Sequence, residues 1–212
     1  MGAVFSKCLP GSKPLRLMIV GISGAGKTST MMRVLQIMAS TKNEKRGSGI
    51  LVGTHSSSIG MNQGECKMFG KKCLLIELGG QEHFRDSWFN HLTGADAILF
   101  VMDGANMNTY EESREEFLRV AEDPALLSKP LLLFVNKSDV DDTFAGFETI
   151  VHDFGLENVP WLTTRQFRVM EGSALEGEGV FTLFRWLVGA SQNKAKRPAV
   201  QQSIRSGSAL LQ

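Results

Sequence analysis

Gly21-Ile22-Ser23-Gly24-Ala25-Gly26-Lys27-Thr28 fits the pattern G-x-x-x-x-G-K-[ST]. Its flanks constrain the fold more than the match does. The apolar run Leu15–Val20 precedes it, and a helical pattern, Thr28–Ala39, follows. A strand that hands a glycine turn to a helix N-terminus aims backbone N–H groups at one point, where a phosphate can sit. Gly24, Ala25, Gly26, Lys27, Thr28 and Ser29 are therefore candidate phosphate-binding residues. Lys27 is placed to reach the outer phosphates, and Thr28 offers a hydroxyl to Mg²⁺.

The rest of the chain repeats the same alternation. Strand-like runs at Leu15–Val20, Leu74–Leu78, Ala97–Asp103, Leu131–Asn136 and Phe167–Met170 are separated by further helical patterns at Tyr110–Glu122, Phe147–Phe154 and Gly179–Ala190. Most of these runs are continuously apolar, as in strands covered on both faces. The expected architecture is α/β, a P-loop NTPase with an open, mostly parallel, six-stranded sheet and helices on both faces. With 212 residues, 42% of them apolar, the chain suits one such domain, residues 15–192, plus extra segments. Residues 41–57 read as a long flexible loop, residues 1–14 as an N-terminal segment interrupted by prolines, and residues 193–212 as a basic disordered tail.

Charge and cysteine content narrow the function classes. No segment is long and apolar enough to span a bilayer, and no secretory leader is expected. Three scattered cysteines suit a reduced, cytosolic chain, and no metal-ligand spacing occurs among them or the four histidines. Net charge is only +1, yet no acidic residue precedes Glu44 or follows Glu178. Both ends are basic. They either stay solvated or are drawn to an anionic surface. A monomer with no nucleic-acid partner is expected.

The nucleotide is chosen by Asn136-Lys137-Ser138-Asp139, directly after the run Leu131–Val135. A buried carboxylate at Asp139 accepts from guanine N1–H and N2–H₂, a donor pair adenine lacks. Asn136 would tie loops together, and the Lys137 stem would lie over the base. Ser173-Ala174-Leu175 would bring backbone N–H groups to guanine O6. Between the two motifs lies Glu77-Leu78-Gly79-Gly80-Gln81-Glu82. There Glu77 would hold a Mg²⁺-bound water, the Gly80 N–H would reach the γ-phosphate, and Gln81 would orient the attacking water.

Taken together these residues resemble the small GTPases, and among them the ADP-ribosylation-factor (Arf and Arf-like) family, over roughly residues 1–192. The family pattern W-D-x-G-G-Q reads here Ile76-Glu77-Leu78-Gly79-Gly80-Gln81 and continues with Arg85 and Trp88. The first-switch pattern T-I-G-F-N reads Ser58-Ile59-Gly60-Met61-Asn62. The start Met1-Gly2-Ala3-Val4-Phe5-Ser6 fits an N-myristoylation signal at Gly2. Cys8 is a second candidate for acylation.

The resemblance implies a small-GTPase G domain that cycles between GDP and GTP with Mg²⁺ held by Thr28, Ser58 and, through water, Glu77. It implies an exchange factor, a GTPase-activating protein and effectors, the last contacting Met61, Ile76 and Trp88. It also implies a cytoplasmic protein, peripheral to Golgi, endosomal or other endomembranes, acting in vesicle trafficking or organelle organisation. The departures are specific. Glu77 stands where the family has Asp, which moves the carboxylate by about 1.5 Å. It then binds Mg²⁺ directly, shifts the water or weakens the metal. Ser58 stands for Thr, keeping the hydroxyl and losing the stiffening methyl. The alternative to a switch is a GTP-binding module with little or no hydrolysis.

Overall fold

Leu15–Val20 (β1) enters the interior at once, with its last four residues buried. Ala97–Asp103 (β5) and Leu131–Asn136 (β6) are buried along their whole lengths. Such runs, apolar on both pleat faces, need cover on two sides and become the centre of a sheet. The computed structural model describes residues 13–43, 54–58, 60–140, 142–157, 159–163 and 165–192, without the side chains of 41–43, 54–58 and 163. It contains one sheet, completed by Thr54–Ser58 (β2), Met61–Met68 (β3), Lys71–Leu78 (β4) and Phe167–Gly172 (β7). Strand order is β2-β3-β4-β1-β5-β6-β7. The five strands from β4 to β7 run parallel, and β3 and β2 continue antiparallel.

Alternation along β1 sends its side chains to two cores. Met18 and Val20 join Ile76, Leu78, Phe100 and Leu133 under Trp88–Leu92 (α3), Tyr110–Glu122 (α4) and Phe147–Asp153 (α5). Leu17 and Ile19 join Leu75, Leu99, Val101 and Leu132 under Lys27–Asn43 (α1) and Val180–Gln192 (α6). A short helix, Glu82–Arg85 (α2), precedes α3. The buried Arg165 guanidinium supports α4 from beneath. It donates to the helix's late carbonyls at Val120 and Ala121 (3.3 and 2.9 Å) and to the Lys129 carbonyl (2.8 Å), as a cation at a helix C-terminus should.

The expected fold class stands. The sheet gains one strand over the six expected, because Thr54–Ser58 pairs as an antiparallel edge. The segment read as the flexible loop 41–57 is in part regular: α1 continues to Asn43 and β2 begins at Thr54. Residues 1–12, 44–53 and 193–212, with the expectations attached to them, lie outside the described residues. No described helix is long and apolar enough to cross a membrane.

Candidate functional site

The carboxyl ends of β1, β4, β5, β6 and β7 all open on one side, where ligands of open α/β sheets bind. Gly21–Thr28 leaves β1 there and wraps into α1. Gly26 has φ +94, and a Cβ on it would collide with the Asn136 side-chain amide. Both the turn and the contact therefore require glycine. Lys27 is buried, and its ammonium donates to the Ile22 carbonyl at 2.8 Å. Burial pulls its pKa down to about 8; Glu77 works against that shift and Arg85 adds to it. Thr28 and Ser29 are exposed at the mouth.

The Asn136 amide ties the cradle together. It donates to the Ala25 carbonyl at 2.9 Å and accepts from the Ala174 N–H at 2.9 Å. Phosphate loop, guanine motif and the Ser173–Ala174 turn meet at this one side chain. The Ala174 N–H, expected at guanine O6, is thus engaged by Asn136. Ser173 is fully buried and accepts from the Glu176 N–H at 3.0 Å. Lys137 adopts φ +73, and its ammonium pairs with Asp103 at 2.6 Å. Asp103 also accepts from the Ala105 N–H at 3.0 Å. It was missed in the sequence, although an acid at a strand's carboxyl end in this fold is itself a signal. Asp139 corrects an expectation: its carboxylate, expected to be buried, is exposed in the protein alone.

On the other flank, Glu77 is the penultimate residue of β4 and is 6% exposed. It accepts from the Thr28 hydroxyl at 2.5 Å and from the Asn62 amide at 3.0 Å. Asn62 lies directly opposite it across β3–β4, so the strand register carries this link between the two switch segments. One carboxylate beside one hydroxyl suits Mg²⁺, which uses few protein oxygens and fills its octahedron with phosphate and water. No group of three or more His, Cys, Asp or Glu gathers among the described residues. The Ser58 side chain, and Gly2 and Cys8, lie outside them.

Gly80 packs against the phosphate loop so closely that a Cβ would strike the Lys27 ammonium and the Gly21 carbonyl. Arg85, itself buried, donates to the Gly80 carbonyl at 3.0 Å and pairs with Glu112 (2.6 Å) and Glu116 (3.6 Å) on α4. Gly79 donates to the Gly60 carbonyl at 2.6 Å, closing the first segment on the second. Gln81 caps the start of α2 in extended geometry with its side chain exposed. Met61 is half-buried. Ile76 and Trp88, expected on an effector surface, are 2% and 0% exposed. Ile76 faces the core from mid-β4. Trp88 sits edge-on to Phe100, and its indole N–H donates to the Gly79 carbonyl at 2.8 Å. Neither presents a surface in this arrangement.

The chain matches the ADP-ribosylation factor family (Arf) over residues 1–191. It belongs to that family. ADP-ribosylation factor-like protein 1 of Drosophila melanogaster is 32% identical over 196 residues, spanning 92% of this chain and 99% of that protein. Its Caenorhabditis elegans namesake is 30% identical over the same shares. The Arl6 (BBS3) small GTPase of Trypanosoma brucei, solved with the nucleotide analogue GppNp, superposes with a TM-score of 0.67 at 20% identity. That match covers 86% of this chain and all of that one, a likeness of fold. This Arf-family protein is accordingly a P-loop small GTPase, a GTP-binding switch of the Arf-like kind.

Proposed function

We propose that this Arf-family GTPase binds GDP and GTP at the carboxyl end of the sheet and hydrolyses GTP slowly alone. An activating partner's arginine accelerates the reaction, since no arginine lies in the first-switch segment 58–62. Asn136 carries this reading, because its two hydrogen bonds join the Gly21–Thr28 turn to the Ser173–Ala174 turn, as a pocket shared by phosphate and base would need. Backbone N–H groups of residues 24–29 surround the phosphates, and Lys27 neutralises their charge. Asp139 accepts from guanine while the Lys137 stem covers the ring. Thr28, Ser58 and Glu77 would hold Mg²⁺, which when bound offsets charge on the phosphate oxygens. The Gly80 N–H meets the γ-phosphate. Gln81 turns from solvent to orient the attacking water. Loss of the γ-phosphate then releases Ser58 and Gly80, and the two segments relax.

Membrane recruitment completes the proposal. A myristoyl chain on Gly2 gives an association constant of only about 10⁴ M⁻¹, so a second attraction is needed. Lys7, Lys13 and acylation of Cys8 could each supply it for an anionic membrane surface. An exchange factor and effectors would read the two nucleotide states, in trafficking or organelle organisation.

A second reading, nucleotide binding with little hydrolysis, is favoured by one contact. The Glu77 carboxylate reaches the Thr28 hydroxyl directly at 2.5 Å.

Dissociation constants for GDP, GTP and ATP, measured with and without Mg²⁺ for wild type and Asp139→Asn, test the main reading. The variant loses a charge-assisted acceptor for two donors and should bind GDP roughly 10²-fold more weakly. An unchanged preference for guanine over adenine in Asp139→Asn would remove the base-reading role.

A further inference from the structure

Cys66 and Cys73 stand directly opposite each other in the antiparallel register of β3 and β4. Opposed residues leave the same face of a sheet, and both side chains enter the core cluster under α1 and α6. Opposed pairs have Cα separations of about 4.5 or about 5.5 Å, and either lies within the span of a disulfide. Both cysteines are reduced in the structure. The Cys73 thiol donates to the Lys71 carbonyl at 3.8 Å. Burial pushes its pKa up to about 12, and Cys66 pushes the same way. The pair lies outside the nucleotide site. It sits in the hairpin whose far end carries the Asn62–Glu77 link and whose turn, at Phe69, packs edge-on against Phe181 of α6 with ring centres 5.2 Å apart.

We propose that Cys66 and Cys73 form a latent cross-strand disulfide site, closed by exchange with a small disulfide of the glutathione type. Cys66 is the entry point, being 7% exposed against 1% for Cys73. Its thiol gives up a proton and the thiolate attacks one sulfur of oxidised glutathione. The glutathione S–S bond breaks, and the first glutathione leaves as a thiolate and is protonated. The Cys73 thiol in turn loses its proton and attacks the Cys66 sulfur of the mixed disulfide. The second glutathione is displaced and takes up that proton. The two cysteines lose two electrons and two protons; oxidised glutathione gains them. Burial keeps thiolate scarce, so local opening of the hairpin sets the rate. The crosslink staples β3 to β4 without touching the phosphate loop.

Full-length Cys8→Ser protein, which removes the remaining cysteine, is incubated with oxidised glutathione under native conditions, alkylated and digested with trypsin. Cleavage at Lys67, Lys71 and Lys72 separates the two cysteines, so a crosslink appears as two peptides joined by a disulfide and lighter by two hydrogens. The expected result is that linked species, reversed by dithiothreitol and absent when Cys66→Ser is added. The same incubation in a urea series, with folding followed by circular dichroism, gives the second measurement. Formation below the unfolding transition supports the site. A mixed glutathione adduct that never resolves, no reaction in the folded protein, or a crosslink confined to unfolding urea concentrations would overturn it.

Discussion

Lys27 couples the phosphate cradle to pH. Its pKa is near 8 in the folded protein against a usual 10.5. Between these values the unfolded chain holds a proton that the folded chain has lost, so stability rises with pH across this window. The total is on the order of 3 kcal/mol, and the burial penalty is felt in full below pH 8. Phosphate oxygens beside the ammonium reverse the shift. Nucleotide binding near pH 8 and above should therefore take up a proton. Titration calorimetry in two buffers of different ionisation enthalpy reads this directly, and identical binding enthalpies would refute it. Asp103 makes a second, quieter contribution at this scale. Asp103→Asn keeps an acceptor for the Ala105 N–H but drops the charge that holds Lys137. Because the lysine is 37% exposed, screening limits the effect. GDP release should quicken about 3–10-fold with stability within about 1 kcal/mol of wild type. Stopped-flow release and a melting curve separate the two, and unaltered release would dismiss the positioning role.

Among the elements, α2 hangs on one side chain. Arg85 joins the Gly80 carbonyl to Glu112 and Glu116, so the segment beside the phosphates is tethered to α4. Arg85→Ala should cost roughly 1–3 kcal/mol, because it leaves the buried Gly80 carbonyl without its donor, while Glu116 keeps its pair with Arg119. Amide exchange over residues 80–87 should rise with it; exchange at wild-type rates there would show the tether to be incidental. The elements also show what a sequence discloses. The boundaries of β1, β5, β6 and α4 coincide with their apolar patterns, since continuous burial or a sharp helical stripe leaves little freedom. β3 escaped because it is a hairpin strand with one wet face: polar residues alternate with Gly64, Cys66 and Met68, and no apolar run announces it. The turn from β1 into α1 was legible because its geometry requires glycine, as at Gly26 with φ +94. The Lys137–Asp103 pair was not, because its members are 34 residues apart and meet only through β5–β6 pairing. The burial of Ile76 and Trp88 was hidden for the same reason, since core position depends on which helix covers which face.

For the whole molecule, a ligand that binds only the folded chain stabilises all of it. GDP with Mg²⁺ at about 100 times its dissociation constant should contribute about 2.7 kcal/mol, a rise of about 5–10 °C in Tm for a chain of this size. Chelating the metal should return part of that rise. A Tm indifferent to guanine nucleotide would contradict the placement of the ligand at the meeting point of five strands. The single amide that spans the Ala25 carbonyl and the Ala174 N–H has a wider consequence. Drift at position 136 would loosen the Gly21–Thr28 turn and the Ser173–Ala174 turn in one step. Under the proposed function a change there would be felt at both ends of a nucleotide, whereas one at Asp139 would be felt at the base alone.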